Sequence, residues 1–158
     1  MLSQCELTYS IVLTLDIIFV TGSRGRSDSS TQKTAFGTYD VIPIALNWTD
    51  AQTYCKISGG HLAAFETQAE FDATDFIQLD TLLKLYFGLN DLGVERNYVW
   101  EHSNQPLGSY RAWGDNEGPA SSLALSETED CIVLSNRFTG IWRDVPCNRS
   151  YHFICEYP

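Results

Sequence analysis

The chain has 158 residues, 20 acids against 10 bases for a net charge of -10, and 44% hydrophobic content. That length suits one domain, and the hydrophobic content sets it apart from disordered chains. The acidic excess excludes a general binder of nucleic acid, heparin-like chains or anionic membranes, because each needs a basic face.

An apolar run from Ile11 to Val20, interrupted by Thr14 and Asp16, comes first. As a helix it rises about 15 Å, half the hydrocarbon core, so no membrane span is expected there. Residues 1–22 fit a secretory signal, with Val20 and Gly22 as small residues before a cleavage point. Its start carries Glu6 and no Lys or Arg, so the alternative is a first β-strand of the folded domain. The chain has five cysteines, and loss of the signal removes Cys5. Four then remain, an even number as a disulfide framework in an oxidising compartment requires. If Cys5 is retained, it is available to link two chains.

Residues 23–34 (SRGRSDSSTQKT) are small and polar with no apolar period, and read as a flexible tail. The folded domain is expected over 35–158. Asn47 can cap a helix running to Ser58, with Ala51, Tyr54 and Cys55 on one face and Gly59-Gly60 ending it. Thr67-Gln68-Ala69-Glu70 forms a capping box that opens a second helix reaching about Leu79. Short β-type runs follow at Leu85–Leu89, Tyr98–Trp100, Cys131–Leu134, Gly140–Trp142 and Tyr151–Glu156. Between Trp113 and Cys131 lies a long stretch rich in Gly, Asn, Ser and acids, of a length usually reserved for function or disorder. Two helices followed by short strands predict an α+β domain.

These pieces fall in a familiar order. Trp48-Thr-Asp-Ala-Gln-Thr-Tyr-Cys55, Gly59-Gly-His-Leu-Ala63, Phe87-Gly-Leu-Asn-Asp91, Val99-Trp100, Trp113, Glu129-Asp-Cys131, Trp142-Arg-Asp144, Cys147 and Phe153-Ile-Cys155-Glu156 together resemble the C-type lectin-like domain from about Phe36 to Tyr157. The resemblance implies a fold of two helices, short antiparallel sheets and a long loop region. Of the three pairings that four cysteines allow, it implies Cys55–Cys155 and Cys131–Cys147.

Family lectins hold calcium in the long loop and bind sugar hydroxyls to that ion. A cation of this kind takes six to eight oxygens. The resemblance places Asp91, Glu95, Glu129, Asp130 and Asp144 at calcium positions. The chain departs from the family at the sugar-selecting triplet, Glu-Pro-Asn or Gln-Pro-Asp. After Trp113 it reads Gly114-Asp-Asn-Glu-Gly-Pro-Ala120, so Gly118 separates Glu117 from Pro119. It departs again at Arg143, where the family's "WND" motif has Asn. Guanidinium has five donors and no acceptor, so it cannot ligate calcium, and its charge repels one. Asp115, Asn116, Glu117, Glu129, Arg143 and Asp144 are the candidate ligand-binding residues.

No nucleophile, zinc or nucleotide motif is present, so recognition is expected and catalysis is not. The resemblance implies a secreted, extracellular glycan binder, assisted by calcium and acting on glycans or glycoproteins, as innate-defence members do. The alternative is a calcium-independent module that binds a protein ligand through the same loops. Asn47-Trp-Thr49 and Asn148-Arg-Ser150 are sequons for N-glycosylation.

Overall fold

The computed structural model describes residues 31–74, 83–120, 128–135 and 141–158. In chain order the elements are β1 (Gln32–Lys33), β2 (Thr38–Leu46), α1 (Trp48–Ile57), β3 (His61–Leu62), α2 (Gln68–Ala73), β4 (Lys84–Asn90), β5 (Val99–Trp100), a 3-10 turn (Gly118–Ala120), β6 (Cys131–Ser135), β7 (Ile141–Val145) and β8 (Tyr151–Tyr157).

Helix α1 forms as its caps require. The Asn47 side chain accepts the Asp50 N–H at 2.9 Å, Gly59 takes a φ of 90° just past the end, and Trp48, Ala51 and Cys55 are buried. Thr67 caps α2 by accepting the Glu70 N–H at 3.1 Å. Glu70 is itself buried, and its carboxylate accepts from the Tyr39 hydroxyl at 3.0 Å and the Glu66 N–H at 2.8 Å. The predicted second helix is shortened. It stops at Ala73, because the hydroxyl and N–H of Thr74 both turn back to the Phe71 carbonyl, the competition with helix bonding that Thr offers. The remainder of that prediction, residues 75–79, lies outside the described residues.

The strands form one mixed eight-stranded sheet, in the order β1-β2-β8-β4-β6-β7 with β3 on β8 and β5 on β4. The expected fold is present, two helices with short, mostly antiparallel strands; one pair, β4 and β8, runs parallel, with Leu85 opposite His152 and Tyr86 opposite Phe153. The last strand therefore lies inside the sheet, so its Phe153, Ile154 and Cys155 are fully buried. Strands β2 and β3 escape the sequence reading. The Thr38–Leu46 run exposes Pro43, Ile44 and Ala45 and shifts register between Ile42 and Leu46, so no clean alternation marks it. Gln32 and Lys33, assigned by sequence to the flexible tail, pair with Tyr39 and Thr38. A tight turn allows this, since the Thr34 N–H and hydroxyl both donate to the Gly37 carbonyl.

One side of the sheet buries Phe65, Phe87, Trp100 and Trp142, and the other buries Trp48, Leu62, Tyr86 and Phe153. The Trp48 indole N–H donates to the Phe87 carbonyl at 3.0 Å. Both expected disulfides are present, Cys55–Cys155 joining α1 to β8 and Cys131–Cys147 joining β6 to the β7–β8 turn. Their Cα separations of 5.4 and 5.1 Å are ordinary for the bond.

Gly60 is required by close approach. A Cβ there would run into the Glu156 carbonyl and the Tyr157 ring, whereas one on Gly93 would meet nothing. Gly60→Ala is expected to cost roughly 1–3 kcal/mol or more, as overpacking does, while Gly93→Ala changes little. Urea unfolding of the two variants beside the parent measures the difference.

Candidate functional site

Strand β7 organises the loop end through its alternation. Trp142 faces the core, Arg143 faces solvent, and Asp144 turns back to a half-buried position. Both backbone groups of Trp142 hold the long stretch that follows β5: its N–H donates to the Ala112 carbonyl at 2.7 Å, and its carbonyl accepts the Gly114 N–H at 3.1 Å. Trp113 and Tyr110 are half-buried against the Trp142 ring, at 5.6 and 5.5 Å between centroids. Gly118, with φ of 65°, allows the next turn to lie on Trp113, where a Cβ would strike the indole.

The Asp144 carboxylate is engaged from both sides. Its Oδ1 accepts the Tyr98 hydroxyl at 3.2 Å and its Oδ2 accepts the Gly118 N–H at 2.7 Å. Burial pushes this carboxyl up to about 6, a rise opposed by those two hydrogen bonds and aided by the negative charges of Asp91 and Glu117. On the outer face, Arg143 Nε donates to Glu117 Oε1 at 2.7 Å. This pair borders a cavity of about 330 Å³ lined by Gly114, Asp115, Glu117, Ser135, Ile141 and Arg143.

Asp91 forms a second centre at the end of β4. It is 3% exposed, and its N–H donates to the Asp130 carbonyl at 3.1 Å. Its Oδ2 accepts the Arg96 N–H at 2.8 Å, whereas its Oδ1 is buried with no partner. Burial pushes the Asp91 carboxyl up to about 6, and the charges of Glu95 and Asp130 act in the same direction against the Arg96 hydrogen bond. The turn that carries Glu95 is closed by Val94 N–H to Asp91 and Asn97 N–H to Val94.

The predicted residues therefore divide into two groups. The charges of Glu95 and Asp130 act on Asp91, and those of Asp91 and Glu117 act on Asp144. Glu129 sits half-buried just before β6, and Asp115 and Asn116 are exposed at the tip of their turn. Among the described residues no three His, Cys, Asp or Glu side chains are assembled as a ready metal-ligating group. Sequence reasoning missed Tyr98, Gly118, Ser135 and Ile141. Tyr98 and Ile141 read as core residues beside their strands, and a backbone N–H such as that of Gly118 leaves no compositional trace.

Residues 44–157 match the family described as "Lectin C-type domain". The chain belongs to that family. Collectin-10 of Xenopus tropicalis is 33% identical over 120 residues, which cover 75% of this chain and 41% of the collectin. The chain thus spans about two fifths of that relative's length. A "C-type lectin mannose-binding isoform" of Notechis scutatus scutatus is 32% identical over 92% of this chain and 96% of its own length. Among solved structures, the C-type lectin domain of murine dendritic cell inhibitory receptor 2 in complex with N-glycan aligns with TM-score 0.67 and 23% identity, over 82% of this chain and 95% of its own. A calcium-independent type II antifreeze protein aligns with TM-score 0.67 and 21% identity, over 80% of this chain and 90% of its own. At those identities the structures show the fold.

Members of this lectin family often hold calcium, and the two centres differ in how well they fit it. The buried Oδ1 of Asp91 has no protein donor and is the kind of oxygen a hard cation takes, but Glu95 and Asp130 are not assembled with it into a ligating group. The Asp144 centre fits it poorly, because both Asp144 oxygens already accept protein donors and Glu117 is paired with Arg143.

Asp91 also sets a pH dependence. With a folded value near 6 against an ordinary 3.8, the folded chain keeps a proton that the unfolded chain releases. Its stabilisation is complete below the ordinary value and lost as the pH rises through about 6. In chelator, Asp91→Asn is expected to gain on the order of 1 kcal/mol relative to the parent at pH 8 and nothing at pH 4. Thermal melts of both proteins across that range check the crossover.

Proposed function

We propose that the domain is a secreted, extracellular recognition module that binds glycans or glycoproteins at its loop end and catalyses nothing. The observation that carries this reading is the loop end itself. Exposed polar groups at Asp115 and Arg143, with Glu117 and Ser135, line a cavity of about 330 Å³, within the range of small-ligand sites. The N-glycan complex of the structural neighbour and the mannose-binding name of the snake relative support the ligand class.

Calcium in this reading belongs to Asp91, Glu95 and Asp130, with Glu129 beside them. When bound, it neutralises a cluster of like charges and stiffens the turn at Asp91. The Asp115–Glu117 segment and Arg143 present the surface to the sugar, with Asp144 held behind them by Tyr98 and Gly118. Two disulfides suit an oxidising compartment. Of the two sequons, Asn148 is exposed, whereas the Asn47 amide is committed to capping α1 and donates to Asp50 at 2.7 Å. A calcium-independent module binding a protein ligand is the second reading, favoured by the Arg143–Glu117 pair standing where family members place a calcium ligand.

Saturating calcium is expected to raise the melting temperature of the parent, since an ion at one hundred times its dissociation constant adds about 2.7 kcal/mol. Asp91→Asn loses that rise. No shift in the parent would remove calcium from the reading. A glycan array probed in calcium buffer tests the ligand class: binding to at least one glycan is expected, and a blank array favours the protein ligand.

A further inference from the structure

The Arg143–Glu117 pair joins a donor that cannot accept to an acceptor that cannot donate. The two touch at 2.7 Å. Arg143 is 48% exposed and Glu117 18%. Guanidinium carries five N–H donors, of which this contact uses the one on Nε. The pair lies on the wall of the cavity that Asp115, Ser135 and Ile141 also line. Ser135 adds a hydroxyl and Asp115 a second carboxylate. Ile141 adds an apolar surface, its Cγ2 lying against Gly114 so closely that any Cβ there would collide.

From this arrangement we infer that the cavity is a metal-free site for a neutral polyhydroxylated ligand, whose adjacent hydroxyls are held by the Arg143–Glu117 pair. This rests on the glycan-binding reading above and names the chemistry of that same site. Each hydroxyl is both donor and acceptor, so one can donate to Glu117 while its neighbour accepts from Arg143. In sugar lectins that use calcium the ion draws on the hydroxyl lone pairs; here a fixed guanidinium supplies the positive charge. The cation is covalently part of the chain, so the contact survives a chelator. Among the described residues two carboxylates and one guanidinium line this cavity, a balance that favours a neutral ligand over an anionic one. Ile141 offers the ring face of a sugar an apolar contact.

An array of neutral glycans ending in mannose, galactose, glucose or fucose, together with sialylated and sulfated controls, tests this with the full-length protein in calcium and in EDTA. The parent is expected to bind at least one neutral class equally in both buffers. Arg143→Ala and Glu117→Gln are each expected to weaken that binding by about tenfold or more, the scale of a lost hydrogen bond to a charged group. Arg143→Lys, which keeps the charge but loses the planar fork, is expected to fall between. Unchanged melting temperatures certify the variants as folded, and a variant that melts early is replaced by Ser135→Ala, with the same expected direction. Binding that appears only with calcium overturns the metal-free site and leaves the glycan reading standing. EDTA-resistant binding that ignores both substitutions, or that selects the acidic controls, overturns it equally. An array blank in both buffers overturns the glycan reading as well.

Discussion

Trp142 is fixed from three directions. Its ring lies within 5.3–6.2 Å, centroid to centroid, of Phe87, Trp100, Tyr110 and Trp113. Its N–H and carbonyl tie the segment at Ala112–Gly114 to the outer edge of the sheet, and its own strand pairs with β6 through Leu134. The Ala112–Gly114 segment takes its position from this residue. With Trp142 inward, strand alternation turns Arg143 outward to Glu117 and Asp144 back toward Tyr98. Aromatic packing thus decides which of two adjacent charged residues is exposed. One buried ring sets the register of the site.

The other constraint is closure. Strand β8 sits between β2 and β4, pairs with β3, and is bonded to α1 through Cys155. Its Glu156 accepts the Ala64 N–H at 2.9 Å and is partly buried among acids, with desolvation raising its carboxyl above the ordinary value. His61, whose charge would oppose that rise, stacks on His102 at 4.6 Å. Burial and the neighbouring His61 both lower His102. The domain thus ends in a strand whose insertion joins distant segments, and that long-range pairing places Phe87, Trp100 and Trp142 against one another.

Much of this was legible in sequence, for identifiable reasons. Asn47 and Thr67 announced the helix starts because capping is a local matter of one side chain and the next turn. The runs at Leu85, Cys131 and Tyr151 were legible because central strands are continuously apolar. Strand β2 was not, since its exposed Pro43–Ala45 stretch and its register shift erase the period. The long reach of α2 failed at Thr74, where a hydroxyl beat the helix for the Phe71 carbonyl. At the site, the acids were visible as residue types but their partners were not. Nothing in the order of residues indicates that Tyr98 donates to Asp144, or that Arg143 pairs with Glu117 across 26 positions.

Those partners change what the acidic excess means. Nine acids and four bases lie between Asn90 and Asp144, and such a concentration needs positive charge or protons to fold upon itself. The structure meets that need in different ways at its two centres. At Asp144 the protein supplies hydroxyl and amide donors, and beside it Arg143 supplies a cation. At Asp91 one oxygen is left buried and unpartnered, and burial raises the carboxyl as it does at Asp144. The Asp91 carboxyl takes up a proton as the pH falls through about 6. Arg143 therefore supplies from within the chain a positive charge beside an acidic loop, and does so at the one carboxylate, Glu117, that it touches among the described residues.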